Sequence, residues 1–366
     1  MNIYYYGFTF ICHCLAPYFN KNTLSDIRRL LTEYDIAEEL LIDIANAYLV
    51  SPGVWAGLEN KGLETLLDDE SREYFRTLHA LNVERNTHFR EELIEAVRVL
   101  NQAGISPLLF KGAGQLLQPV HQDIGSRFMS DLDILIPTER IPDASNALKR
   151  QGYREVDVDY ATQMHHHCPP LVRPGAYGPI ELHRRAFQNE ICEILPTRMI
   201  WEEAQLHVID DLHFYLPSPT HSMLILILHS QEFKGGYDPR LFNPKVLQDL
   251  AATCQKYPES IDWSVIRRTM KDSGLEYLAS LLVLSAHRLM GMPIPAGIMP
   301  GPSARLLYLA STGAMNWPIV DRLSSDAIKF STYLICRRYG CSRRWLPLTA
   351  YRLRYLMSRC KRNARY

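Results

Sequence analysis

The chain has 366 residues, 47% of them apolar and 22% charged, with a formal net charge of zero. That length suits two or three domains or subdomains, and that composition excludes a largely disordered chain. Eight scattered Cys residues without a CxxC pair exclude a dense secreted disulfide framework, and they read as reduced thiols in a cytoplasmic protein.

The N-terminal stretch MNIYYYGFTFICHCLA is apolar and aromatic but has no Lys or Arg ahead of it. It therefore lacks the positive region of a secretory signal, and a packed strand or short helix is expected. Cys12-His13-Cys14 invites a metal reading, but no second pair follows at zinc-ribbon spacing. Residues 24–105 carry apolar positions three and four apart, which predicts helices, with Gly104 closing the last of them. Residues 1–104 thus read as a mainly helical region.

The pattern changes at ISPLLF (105–110), a short apolar run that suits a buried strand, ended by Lys111-Gly112. AGQLLQ opens a helix, and SDLDILI (130–136) alternates as a strand does. A helix over 141–152 ends at Gly152. YREVDVDY, HHHCPPLV and GPIELHRR are further strand candidates. Strand, helix, strand, helix and several strands make a compact α/β unit with a mixed sheet over 105–186. Helical periodicity returns over 221–233, 245–257, 263–274 and 275–291, giving a helical C-terminal domain over 187–325. His221 and His229 on the first of these helices read as packing histidines, and Asp249 as a helix-surface acid or a partner behind the site.

The longest apolar run, near MLILILH (223–229), falls far short of the roughly 20 residues that span a bilayer. The last segment, 326–366, is a basic tail. Eleven of the forty basic residues and none of the forty acidic ones lie between Ala327 and Tyr366, so the rest of the chain carries a net charge of −11. Its interleaved aromatics would suit nucleic acid, but no groove-reading motif is present, and docking on the chain's own acidic body or a partner is favoured.

The chemistry concentrates in the middle unit. Residues two apart on a strand face the same way, so Asp131 and Asp133 project together, about 7 Å apart along one strand face. Two such carboxylates repel unless a cation lies between them, and hard cations such as Mg²⁺ prefer oxygen ligands. Glu181, in PIELH, completes a three-carboxylate set if its strand pairs near the first. Lys111 would meet a phosphate as a point charge, Gly112 would let backbone approach it, and Arg127 could clamp it in a bidentate way. His183 faces the same site as Glu181. His165-His166-His167-Cys168 suits the lining of the pocket better than a dedicated zinc site. Each signal alone has a bland reading. The joint order is more specific.

In that order LLFKGAG, SRFMSDLDILI, RQGY and IELHRR resemble the nucleotidyltransferase superfamily, with its DNA polymerase β-like fold. They are most similar to the bacterial group described as uncharacterised nucleotidyltransferases, over about residues 75–260. The resemblance implies an α+β fold, a small mixed-sheet nucleotidyltransferase core with an N-terminal helical cap and a helical C-terminal domain. It implies Asp131, Asp133 and Glu181 as catalytic metal ligands for Mg²⁺, or Mn²⁺ in its place. Lys111, Gly112 and Arg127 would lie at the phosphates of an NTP, with ATP the expected donor. The usual Gly-Ser loop of the superfamily lies closer to the Asp pair than Lys111-Gly112 does here. The expected reaction is NMP transfer to a hydroxyl or phosphate on a small molecule, peptide or protein. The alternative is a catalytically degenerate fold that binds a partner through its helical domain and basic tail.

Overall fold

A computed structural model describes residues 3–19, 21–34, 36–156, 167–188, 191–230 and 243–316. The basic tail, His165 and His166 lie outside the described residues.

The chain opens with four helices, α1 (Ile3–Leu15), α2 (Lys21–Tyr34), α3 (Glu38–Ala47) and α4 (Ser51–Lys61). The aromatic N-terminal run is helix α1, and it buries Gly7, Phe8, Phe10, Ile11, Cys12, Cys14 and Leu15 around most of its circumference. A residue run with strand-like composition becomes a helix because it is enclosed on nearly every side, and burial overrides a weak local preference. Gly57 of α4 lies against the backbone of Cys14, where any Cβ would collide, so the two helices cross in direct contact.

Next comes α5 (Asp69–Gln102), 34 residues and about 51 Å long. Asp68 starts it by accepting a hydrogen bond from the Ser71 amide at 2.7 Å. Gly104, at φ +69°, follows its end as the periodicity predicts. Then follow β1 (Leu108–Leu109), α6 (Lys111–Leu117), β2 (Leu132–Leu135), α7 (Ile141–Arg150), β3 (Arg154–Glu155), β4 (Leu171–Val172) and β5 (Ile180–His183). The short helices α8 (Ile191–Ile194) and α9 (Thr197–Glu202) lead to a hairpin of β6 (Gln205–Ile209) and β7 (Leu212–Leu216). Helices α10 (Pro219–His229), α11 (Pro244–Lys256), α12 (Trp263–Asp272), α13 (Glu276–Met290) and α14 (Pro302–Asn316) complete the described chain. None of the described helices is long and apolar enough to cross a membrane.

The seven strands form one mixed sheet in the order β3-β4-β5-β2-β1-β7-β6. β2 runs parallel to β5 and β1 parallel to β7, while the remaining neighbours are antiparallel. The fold is α+β, as expected. The hairpin, however, falls in the stretch that periodicity assigned to the helical C-terminal region, and it carries the sheet two strands further.

Two apolar clusters organise the molecule. One joins the sheet to α5 and α7 through Phe89, Leu93, Leu100, Leu109, Leu132, Ile134, Leu148 and Leu182. The other is larger and runs without a break from α1 and α4 to α10, α11, α13 and α14, with Phe8, Ile11, Leu58, Met223, Leu250 and Leu282 among its members. The N-terminal cap and the C-terminal helices therefore share one core. Alternate residues of the strands feed the two clusters: Leu132 and Ile134 enter the first, Leu135 the second.

Candidate active site

The alternation that splits the cores also builds the site. β2 and β5 pair in parallel with Asp133 opposite Glu181 and Leu135 opposite His183. Leu132, Ile134, Ile180 and Leu182 point into the core beneath the sheet. Asp133, Glu181 and His183 therefore share the opposite face, and Asp131 directly precedes β2.

His183 is completely buried between the two carboxylates. Its Nε2 lies 2.8 Å from Asp133 Oδ1 and 3.6 Å from Glu181 Oε2, and the edge of the Phe110 ring packs against it. Burial pulls the imidazole pKa down, but Asp133 and Glu181 outweigh it, and the net shift is upward. Lys111 Nζ lies 3.1 Å from the same Asp133 oxygen. Burial would raise the Asp133 carboxyl, yet Lys111 and His183 hold it well below the usual range. Asp131 moves the other way. Burial, then repulsion from Asp133 and Glu181, push its pKa up, and Ser130 Oγ donates to it at 3.1 Å. His167 Nε2 reaches to 3.9 Å from Glu181, so the one described histidine of the 165–167 run lines this face.

Among the described residues, Asp133, Glu181 and His183 place ligand atoms within 4.8 Å of one another, a set able to hold a metal ion. Asp131 lies outside that trio, two residues before Asp133, and is near enough to both acids for their repulsion to raise its pKa. Carboxylate oxygens fit a hard divalent ion, and His183 now occupies the space between the two acids. Lys111 supplies positive charge against the two carboxylates of this face, and the His183 imidazole lies between them.

Lys111 also has a backbone φ of +53°, in the left-handed region that a residue with a side chain avoids. Beside it, a Cβ on Gly112 would stand 2.8 Å from Arg127 Nη1 and 3.1 Å from Met129 Sδ. Glycine lets the guanidinium lie across the start of α6. Arg127 is itself pinned. Its Nε donates to Asp249 at 2.9 and 3.1 Å, and His121 Nε2 lies 2.7 Å from the same carboxylate. Burial would raise Asp249, but Arg127 and His121 bring it well below the usual range. The loop that carries Arg127 hangs from α5. Asn82 donates to Gly125 O, Asn86 to Ile124 O and Arg127 O, and Arg85 to Met129 O.

Next to this cluster opens a cavity of about 630 Å³, walled by α6, α10, α11, β7 and the turn between α3 and α4. Lys111, Arg127 and Lys245 line it, together with Asp249 and His229. Lys245 lies in the first turn of α11. Its ammonium stands 6.0 Å from the Phe128 ring centre and makes no ion pair among the described residues. Burial and the Arg127 charge bring its pKa down to about 8, against the pull of Asp249, Asp131 and Asp133. His229 is pushed down to about 3, by burial and then by Lys111, so it is neutral.

The sequence reading brought Lys111, Gly112, Arg127, Asp131, Asp133, Glu181 and His183 forward, and the structure gathers them on one side of the sheet. It missed Lys245 and His121, left Asp249 undecided and treated His229 as packing alone. A signal was available: Lys245 and Asp249 are four apart on α11, while Leu247, Leu250, Ala251 and Ala252 are buried. Two charges on an otherwise enclosed helix face need a partner.

The family model described as "Uncharacterised nucleotidyltransferase" matches residues 34–291. No curated protein matches the chain. Among solved structures, the crystal structure of JHP933 from Helicobacter pylori is similar at 14% identity, covering 66% of this chain and 96% of that one, with a TM-score of 0.31.

Proposed function

The chain belongs to the uncharacterised nucleotidyltransferase family, and we propose that it transfers an NMP group from an NTP, with ATP the first donor to test, to a hydroxyl or phosphate on a small molecule, peptide or protein. The observation that carries this reading is the in-register pair Asp133–Glu181, closed by His183 and Lys111, beside a cation-lined cavity.

Asp131, Asp133 and Glu181 would hold Mg²⁺ or Mn²⁺. When bound, the metal would neutralise charge on the triphosphate and lower the pKa of the attacking hydroxyl. Lys111 and Arg127 bind and orient the phosphates, Lys245 adds a third cation, and Gly112 keeps the approach open. Asp249 and His121 fix the guanidinium before any ligand arrives, so little of that order has to be created on binding. In the transfer, the acceptor oxygen bonds to the α-phosphorus, the bond from that phosphorus to the β-phosphate oxygen breaks, and pyrophosphate leaves. The acceptor's proton passes to the carboxylates of this face. The setting is the cytoplasm, and the basic tail serves docking.

A degenerate partner-binding fold would let Glu181 point away from Asp133, whereas the two acids share contact with one imidazole. Calorimetry with ATP and Mg²⁺ tests the reading. Wild type should bind, and the double variant Asp131→Ala/Asp133→Ala should not. Equal binding by both, or by neither, would count against it. Labelled NTPs offered with a host lysate, followed by mass spectrometry of the labelled products, would then identify the acceptor.

A further inference from the structure

The two ends of the sheet are finished differently. At one end stands β3, two residues long, and both of them, Arg154 and Glu155, are charged. A short, charged edge discourages another strand from pairing with it. At the other end stands β6, Gln205–Ile209, with no charged side chain, no proline and no bulge against β7. Its five residues offer an edge of about 17 Å.

The outward main-chain groups of β6 follow from its neighbour. Leu206 stands opposite Tyr215 of β7, and Val208 opposite His213. The Tyr215 amide is turned away from β6 and donates to Pro107 O at 2.8 Å. His213 is turned away as well: its amide donates to Asn101 Oδ1, and its carbonyl accepts from Asn101 Nδ2, both at 2.8 Å. Antiparallel pairs alternate, so Leu206 and Val208 aim their own N–H and C=O groups away from β7, at the open edge. Neither residue has a main-chain partner there among the described residues. Their side chains are 53% and 57% exposed. They lie on the face of Tyr215, whose ring meets that of Trp201 at 5.7 Å. An apolar patch thus borders a row of unpaired amides and carbonyls.

The edge is also complementary to itself. With a two-fold axis at His207, Leu206 of one copy comes opposite Val208 of the other, and Gln205 opposite Ile209. In that register the residues that exchange hydrogen bonds are Leu206 and Val208, the two whose groups are free, and His207 forms the non-bonded pair at the axis. Burial and the Lys256 charge lower the His207 pKa, so the facing imidazoles are uncharged at neutral pH. The flanking acids do not crowd the axis. The chain turns at Asp210, and Asp211 is paired with Arg98 at 2.7 Å. We propose that β6 pairs antiparallel with β6 of a second copy, joining the two sheets into one across a two-fold axis at His207. Gln205 and His207 also line the cavity, so the second copy stands at its rim. The pairing does not depend on the transferase reading.

The test is sedimentation velocity on the full chain across the micromolar range, with hydrogen exchange at the Leu206 and Val208 amides. Wild type should pass from monomer to dimer, and both amides should slow as the concentration rises. Leu206→Lys and Val208→Lys change exposed side chains and place charge on the edge. Each should weaken dimerisation at least tenfold and melt as wild type does. His207→Cys tests the register. Across the axis its Cα atoms would lie about 4.5 Å apart, within the reach of a disulfide. In Leu206→Cys the two thiols are offset by about 7 Å along the strand alone, out of reach. Under mild oxidation His207→Cys should give a covalent dimer that wild type and Leu206→Cys do not. A wild type that stays monomeric would overturn the proposal, and amides slow at every concentration would then show the edge covered by the chain itself. A dimer that survives both lysine variants, or a His207→Cys that links no better than Leu206→Cys, would overturn it as well.

Discussion

The two halves of the site set opposite charge problems. At β2 and β5, Asp131, Asp133 and Glu181 crowd one face, with the Lys111 ammonium and the His183 imidazole in contact with Asp133. Along α11 the balance reverses: Arg127 and Lys245 meet with Asp249 as the one acid. The first half invites a cation and the second an anion. Lys111 belongs to both, so binding in either half is felt in the other. The halves also differ in firmness. Asp249 is enclosed and held from two sides, whereas Asp131 keeps part of its surface open and is pressed by its neighbours toward protonation.

That contrast can be broken deliberately. The largest effect is expected from Asp133→Asn, which keeps the shape and removes the charge. NMP transfer should fall on the order of 10²–10³-fold, with the circular dichroism melt close to wild type. A melt shifted as much as the rate would make Asp133 a structural acid instead. Asp249→Ala should do the reverse and lower stability by about 3–5 kcal/mol in urea unfolding, because Arg127 and His121 lose a buried counter-charge. If it unfolds like wild type, the second half is not the rigid one.

Lys245→Met should weaken ATP binding by about 1.4 kcal/mol, tenfold. The same lysine gives a pH signature. Its pKa is lowered to about 8, so it is charged below that pH and holds phosphate there. ATP affinity should fall as pH rises through about 8, and this limb should be absent in Lys245→Met. Stability moves oppositely. Between about 8 and the ordinary ~10.4 the unfolded chain binds the extra proton, so this group makes the folded state more stable as pH rises. The smallest effect is at the acid end. Asp249 has a depressed folded-state pKa, so its contribution is full above about pH 4 and is lost as pH falls through the folded value. Comparing acid melts of wild type and Asp249→Asn isolates it.

The same two halves differed in legibility. The carboxylate half follows from strand register, a rule with period two. Asp131, Asp133 and Glu181 stand in short alternating runs, so one face could be read before any pairing was known. The α11 half joins Lys111 of α6 and Arg127 of the loop before β2 to Lys245 and Asp249 of α11, and no local pattern states that these three segments meet. The hairpin was hidden for a related reason. β6 alternates weakly, with Leu206 and Val208 exposed, and its turn depends on Asp210 at φ +52° rather than on a glycine. The N-terminal aromatics form a helix because helices distant in sequence enclose them, which periodicity within the run does not report.

Helix α5 has a consequence for modularity. It buries Phe75 with the helical core and Phe89 with the sheet, and between these Asn82, Arg85 and Asn86 suspend the loop that presents Arg127. A fragment cut at residues 105–186 would keep all three acids yet lose that suspension, the β7 neighbour of β1 and the acid that pins the guanidinium. The centre is therefore not a cassette to be moved between proteins by its strands alone. Any circular permutation or transplant that retains its competence must carry the 34-residue strut with it.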